Sequence, residues 1–323
     1  VKIIVFGGVQ ALVRIDMTMP SAPRPEEGGE ISQWEKQAYG DGGRFGSMTS
    51  IPSGDPSKDK INVDLKGCAY NVAKDLASKG HEVAFMGVVG DDALGKAALA
   101  DLGDSGVDTS RMAVSDHMTS VRVEARNFLG DLEFWRVDES IQDDLTPAKA
   151  MEMMAHTVEA DIAFADGSLP AETLKAIGKI LAEKGVEFFF DPASLEGAAK
   201  GSECLEYFTG IMPGRREAEL MSGLQILSAD EMREAARFFE SKGIEKVFIT
   251  IKGGGIYYGE GDAEGTIRPE RVLQFAETGG AGDVVTACLV DAFAGGASIE
   301  DAARAGMEAA AEHLSDVVDE REY

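Results

Sequence analysis

The chain has 323 residues, 44% of them hydrophobic and 27% charged, which suits one large α/β domain or two small ones and excludes a disordered or fibrous chain. Lys and Arg number 31 against 57 Asp and Glu, a formal net charge of −26. A surface this acidic argues against nucleic acids and anionic membranes as partners, but leaves room for a phosphate ligand held by backbone amides, a metal ion or a few local cations.

The opening VKIIVFGG reads as a buried strand, with no basic segment and signal-like apolar run. No apolar run approaches membrane-spanning length, so a cytoplasmic protein is expected. The segment 17–60, rich in Gly, Pro, Ser and Asp, is too long for an ordinary connection and is expected to contribute to a lid. NVAKDLASKG (71–80) follows as a helix with Val72, Ala73, Leu76 and Ala77 on one face and Gly80 at its end. EVAFMGVVG reads as a strand and DDALGKAALADLGDSG as a helix. In TSVRVEARNFLGDLEFWRV (119–137), Val121, Val123 and Ala125 alternate with Arg122, Glu124 and Arg126, and Gly130-Asp131 predicts a hairpin turn. Then come a strand at 161–167, a helix at 171–185, the strand VEFFFD, the short strand TGIMP and helical RREAELMSG. SADEMREAARFFESKG starts on a Ser cap and ends at Gly243, KVFITI is a strand, and helices at 283–294 and about 298–314 close the chain. Short apolar strands between helices indicate a mostly parallel sheet covered on both faces.

Cys68, Cys204 and Cys288 stand far apart and in no metal-ligand spacing, which points to a reducing compartment without disulfides. The four histidines, His81, His117, His156 and His313, are equally scattered and indicate no zinc site. The chemistry concentrates instead in ETGGAGD (277–283), where the strand RVLQFAE runs into a glycine turn and then an apolar helix. Glycines let backbone amides approach a ligand, and a helix start attracts anions. Asp283 reads either as a plain N-cap or as a carboxylate working beside a bound phosphate. The turn is neither a dinucleotide fingerprint nor a Walker loop, because no ribose carboxylate or Gly-Lys-Ser/Thr follows. FGGVQAL likewise lacks the fingerprint after the first strand, which counts against a Rossmann-type oxidoreductase.

ETGGAGD resembles the D-T-x-G-A-G-D signature of the ribokinase-like (PfkB) family of carbohydrate and nucleoside kinases. KGCAYNVAKDLASKGHEVAFMGVVGDDALG (66–95) is similar to the family's first signature, G-G-x-x-x-N-x-A, a helix to Leu-Gly, and a strand ending G-x-D-x-x-G. The resemblance covers essentially the whole chain. It implies a three-layer α/β/α sandwich with a mostly parallel central sheet plus a small β lid. Residues 1–323 would form a single kinase domain, with lid segments at about 13–66 and 116–138 inserted in the α/β core.

The implied activity moves the γ-phosphate of ATP, with Mg2+, to an alcohol group of a small sugar or nucleoside. Asp283 would be the base, and the amides of Gly280, Ala281 and Gly282 an anion hole. Asp16, Gly67 and Asn71 would bind the acceptor, Asn71 doubling as a helix cap. IMPGRREAELMSG (211–223) resembles the family's P-N-x-x-E-x-x-x-L-x-G stretch and gives Glu217 a role in the magnesium shell through water; without that match it would be a solvated helix-face residue. FITIKGGGIYYG resembles the strand and turn near the nucleotide, so Lys252, Gly253 and Gly255, with Thr278, would contact ATP.

Several letters depart from the family pattern. Lys66 replaces a glycine, Glu277 an aspartate and Gly214 an asparagine; direct alignment on Gly7 puts Leu12 where the acceptor aspartate belongs, and Asp16 fits only with a shift. The segments ADGSLPAETLKAI, FFFDPASLEGAAKG, PGRREAELMSG and KGGGIYY are more like pseudouridine kinases than ribokinases or fructokinases, so a pseudouridine-type nucleoside ranks first as acceptor and a furanose or keto-sugar acid second. A non-catalytic sugar- or nucleoside-binding pseudokinase is the competing class. Family lids often pair edge to edge, which implies a homodimer through the lid.

Overall fold

The structure, a computed structural model, describes residues 1–18, 59–127, 132–155, 160–251, 255–269 and 280–319. The expected Gly130-Asp131 turn, the strand RVLQFAE and most of 17–60 lie outside the described residues. The chain divides into two compact units, one made of Val1–Ala11, Leu65–Val121 and Asp138–Tyr323, the other of Leu12–Asp64 and Arg122–Val137.

Among the described residues of the first unit, eight strands form one sheet. In chain order they are β1 (Lys2–Phe6), β4 (Glu82–Met86), β9 (Ile162–Asp166), β10 (Glu187–Asp191), β11 (Gly210–Ile211), β12 (Lys246–Ile251), β13 (Gly255–Glu260) and β14 (Ala263–Ile267). Their spatial order is β14-β13-β12-β11-β10-β9-β1-β4. All neighbours from β4 through β12 pair in parallel, and β13 and β14 continue the edge antiparallel. The stretch expected as one strand over EVAFMGVVG splits at Gly87, because β4 pairs with β1 while β5 (Val88–Gly90) pairs with β6 (Ala113–Ser115) in a separate two-stranded sheet.

Helices cover both faces, as continuous apolar strands require. Against one face pack α3 (Pro147–Ala155), α4 (Ala171–Lys184), α5 (Leu195–Gly201), α6 (Arg215–Ser222) and α7 (Ala229–Glu240); against the other pack α1 (Cys68–Ser78), α2 (Ala93–Asp104), α8 (Ala281–Ala294) and α9 (Ile299–Asp319). The FFF run of β10 shows how one strand serves two cores. Phe188 and Phe190 enter the first and meet Phe208 at 5.1 and 4.5 Å between ring centroids. Phe189 enters the second and stacks on Phe293 of α8 at 5.3 Å and 11°.

Two helix starts differ from the sequence reading. α1 begins at Cys68 with Gly67 as N-cap, so Asn71 is interior and its N–H already donates to the Gly67 carbonyl at 2.9 Å. α8 begins at Ala281 with Gly280 as N-cap, so Asp283 is its third residue rather than its cap. Glycine with φ 86° at position 280 supplies a turn that a side-chain cap would otherwise make. Ser228 caps α7 as expected, accepting the Glu231 N–H, and α4 stops at left-handed Gly185, whereas α1 and α7 end on Lys79 and Ser241, before Gly80 and Gly243.

Among its described residues the second unit carries a four-stranded sheet in the order β3-β2-β7-β8, built from β2 (Gln10–Asp16), β3 (Lys60–Lys66), β7 (Ser120–Arg126) and β8 (Leu132–Asp138). The alternation in β7 is not a simple apolar face. Glu124 is buried within it, as is Ser120, and is bridged by Arg122 Nε at 2.7 Å and Arg126 at 3.0 Å. Despite burial, these two guanidiniums hold its carboxyl below the usual range. Arg122 also lies over the Trp135 ring at 5.0 Å.

Candidate active site

The first unit presents its site where parallel strands end and two helices begin. Crevices at the carboxyl ends of such strands are where α/β sheets bind ligands. α1 and α8 bring Asn71 and Asp283 together: Asn71 Nδ2 donates to Asp283 Oδ2 at 2.6 Å. The Cys68 thiol is a second donor to the same carboxylate. Burial pushes the Asp283 carboxyl above its ordinary value, while the bonds from Asn71 and Cys68 and the charge of Lys66 hold it back. A carboxylate more basic than usual suits proton abstraction. Burial, followed by the charges of Asp191, Asp283 and Asp166, pushes the Cys68 thiol well up, so it stays protonated and donates.

Gly280 faces the imidazole of His313 on α9; a Cβ added there would lie 3.5 Å from Nε2. Ala281 and Gly282 open α8, and their N–H groups belong to the first turn, where no intrahelical acceptor exists. Gly67 (φ 147°) runs so close to Gly8 that a Cβ would meet its carbonyl oxygen at 2.6 Å.

Glu217 is not the solvated helix-face residue it would otherwise be. It is half-buried, and its Oε2 accepts the Gly214 N–H, capping α6 from within. Burial raises its carboxyl and the Gly214 N–H opposes this. Among the described residues no group of three or more His, Cys, Asp or Glu is placed to hold a metal ion. One half-buried carboxylate fits magnesium only in the form that keeps its waters and leans on substrate phosphates.

Asp16 ends β2 in the second unit, where it accepts from Arg14 Nε at 3.2 Å and Asn62 Nδ2 at 3.1 Å. Gly255 starts β13 with φ 106°, where a Cβ would meet the Ile267 carbonyl oxygen at 2.0 Å, so hairpin packing alone demands glycine. Lys252, Gly253, Thr278 and Glu277 lie outside the described residues.

Sequence reading passed over two carboxylates. Asp166 and Asp191 end β9 and β10, and both are buried. Burial pushes Asp166 up to about 6 and Asp191 up to about 7, each raised further by the charge of Asp283 and lowered by its own hydrogen bonds. The signal was present in AFAD and FFFD, where an apolar run stops on a charged residue.

The pfkB family of carbohydrate kinases matches residues 54–317. The chain is similar to a ribokinase of Haemophilus influenzae, 28% identical over 256 residues covering 76% of this chain and 79% of that protein. It is also similar to a pseudouridine kinase of Escherichia coli, 24% identical over 259 residues covering 80% and 82%. A ribokinase of Arabidopsis thaliana, solved with ribose and ATP, shares the fold at TM-score 0.71 and 19% identity, covering 95% of this chain and 91% of that one. A carbohydrate kinase of Agrobacterium tumefaciens does so at TM-score 0.74 and 21% identity, covering 96% and 89%. A match over this much of the chain, together with a mostly parallel sheet layered between helices, means that the chain belongs to the pfkB family of carbohydrate kinases and is a phosphotransferase acting on a sugar or nucleoside.

Proposed function

We propose that the chain transfers the γ-phosphate of ATP to a primary hydroxyl of a pseudouridine-type nucleoside. The observation that carries the reaction is the Asn71–Asp283 hydrogen bond at the first turn of α8. Asp283 takes the proton of the attacking hydroxyl, which Asn71 and Gly67 orient. The amides of Gly280, Ala281 and Gly282 stabilise charge on the transferring phosphoryl group. Glu217 is the residue to hold magnesium, through water, and the ion would neutralise phosphate charge. Lys252, Gly253, Gly255 and Thr278 are assigned to the nucleotide. Similarity to a pseudouridine kinase over 80% of the chain supports the nucleoside. Similarity to a ribokinase supports a furanose sugar as the second reading. ADP release measured across pseudouridine, other nucleosides, ribose, fructose and 2-keto-3-deoxygluconate tests this. Turnover on fructose with none on any nucleoside would overturn the nucleoside, and no turnover on any acceptor would leave a binding protein.

Asn71→Ala is expected to move the acid limb of the pH–rate profile to higher pH. The lost donor served the ionised form of Asp283, so its carboxyl would stay protonated to a higher pH. An unmoved limb would separate Asn71 from the base.

A cytoplasmic location belongs to this reading; among the described residues no helix is long and apolar enough to cross a membrane. We also assign the second unit's sheet to pairing with another copy. Its edge strands expose Ile61 and Val63 on β3 and Leu132, Phe134, Trp135 and Val137 on β8. Sedimentation should show a dimer that Trp135→Glu converts to monomer, and a wild-type monomer at micromolar concentration would refute the assignment.

A further inference from the structure

Asp166 and Asp191 are register partners across the neighbouring strands β9 and β10. Their hydrogen bonds reach different helices. Asp166 Oδ2 accepts the Ala69 N–H of α1 at 2.9 Å, and its Oδ1 accepts from the Ser168 N–H at 3.0 Å and from the Ser168 hydroxyl. Asp191 Oδ2 accepts the Thr286 hydroxyl of α8 at 2.6 Å, and its Oδ1 accepts the Ala193 N–H at 2.8 Å. α1 carries Cys68 and Asn71, and α8 carries Asp283. Asp283 and Thr286 are three apart and so share a helix face.

We infer that Asp166 and Asp191 form a two-carboxylate clamp that aligns α1 with α8 and thereby sets the Asn71–Asp283 hydrogen bond. Both are positioning residues. If they were only strand-end groups satisfied locally, the contacts to Ser168 and Ala193, two residues onward, would be enough. The other two contacts span 97 and 95 residues, and they tie adjacent strand ends to the two helices that meet at the base. When ionised, each acceptor makes its tie shorter and stronger than a neutral one would.

The effect on rate rests on Asp283 being the base; the geometry does not. Two readouts keep these apart. The side-chain amide resonance of Asn71, in protein labelled with 15N-asparagine, reports its bond to Asp283 whatever the chemistry, with Asp283→Ala as the reference for a broken bond. Turnover with ATP and the best acceptor reports the base. Asp191→Ala and Thr286→Val should each shift the Asn71 resonance toward the reference. Each should also lower kcat about 10- to 100-fold with little change in KM, since a small misplacement of a catalytic group costs that much. The double variant should be no worse than either single one, because both remove the same tie. Asp191→Asn and Thr286→Ser, which can keep the bond, should recover most of the loss. A moved resonance with unchanged kcat would uphold the clamp and sink the base. An unmoved resonance in both variants, or additive losses in the double variant, would overturn the clamp. If Asp191→Ala fails to fold, the Thr286→Val and Thr286→Ser pair decides by the same resonance.

Discussion

Asp283→Asn is expected to lower kcat by about 10²–10⁴-fold, the range that an oriented base contributes. The substitution preserves shape while removing the proton acceptor. Asn71 Nδ2 can donate to the new carbonyl oxygen much as it donates to Asp283 Oδ2 at 2.6 Å. The fold should survive and even gain, because a buried carboxylate that burial makes hard to ionise is replaced by a neutral amide. Saturation kinetics, with circular dichroism melting and calorimetric nucleotide titration as controls, give the answer. A variant that turns over at the wild-type rate would remove Asp283 from the chemistry; one that loses rate and nucleotide binding together would point to collapse of the turn.

The second large effect is on stability. Asp166 and Asp191 are raised from 3.8 to about 6 and about 7 by burial. The folded protein therefore holds protons that the unfolded chain releases near pH 4. Stability from these groups is greatest below that point and falls as pH rises toward about 7, where the folded carboxyls also ionise. The penalty in the ionised protein is on the order of 3 kcal/mol for Asp166 and 4 kcal/mol for Asp191. Asp191→Asn should accordingly be more stable than wild type at pH 8, by up to about 4 kcal/mol. Most of that difference should disappear near pH 4. Urea midpoints across this range test it, and curves that run parallel for the two proteins would refute it. Retaining two such acids at the price of stability is expected where a site needs them.

The alternation of strands and helices was legible because each strand is a short apolar run ended by turn residues. The start of α8 was legible to within two residues because glycines and an aspartate crowd against an apolar run. What was not legible came from distance along the chain. Asn71 and Asp283 are 212 residues apart, and only folding shows that one donates to the other. Asp166 and Asp191 stand at strand ends, and nothing in AFAD or FFFD says which helix each will meet. Asn71 was expected to double as a cap, but α1 starts earlier. The glycine at 214 in turn leaves its N–H to be capped by Glu217 itself. In β7 an apolar alternation gave way to a buried Glu124, because two arginines neutralise it.

The three phenylalanines and the aspartate of β10 have a mechanical consequence. α8 is joined to that strand at two places, by Phe293 stacked on Phe189 and by Thr286 bonded to Asp191. One attachment would act as a pivot. Two, spaced two helical turns apart on the same helix, resist both rolling about its axis and sliding along it. The helix that carries Asp283 thus behaves as a fixed rail, and any movement that accompanies turnover must be taken up by other elements.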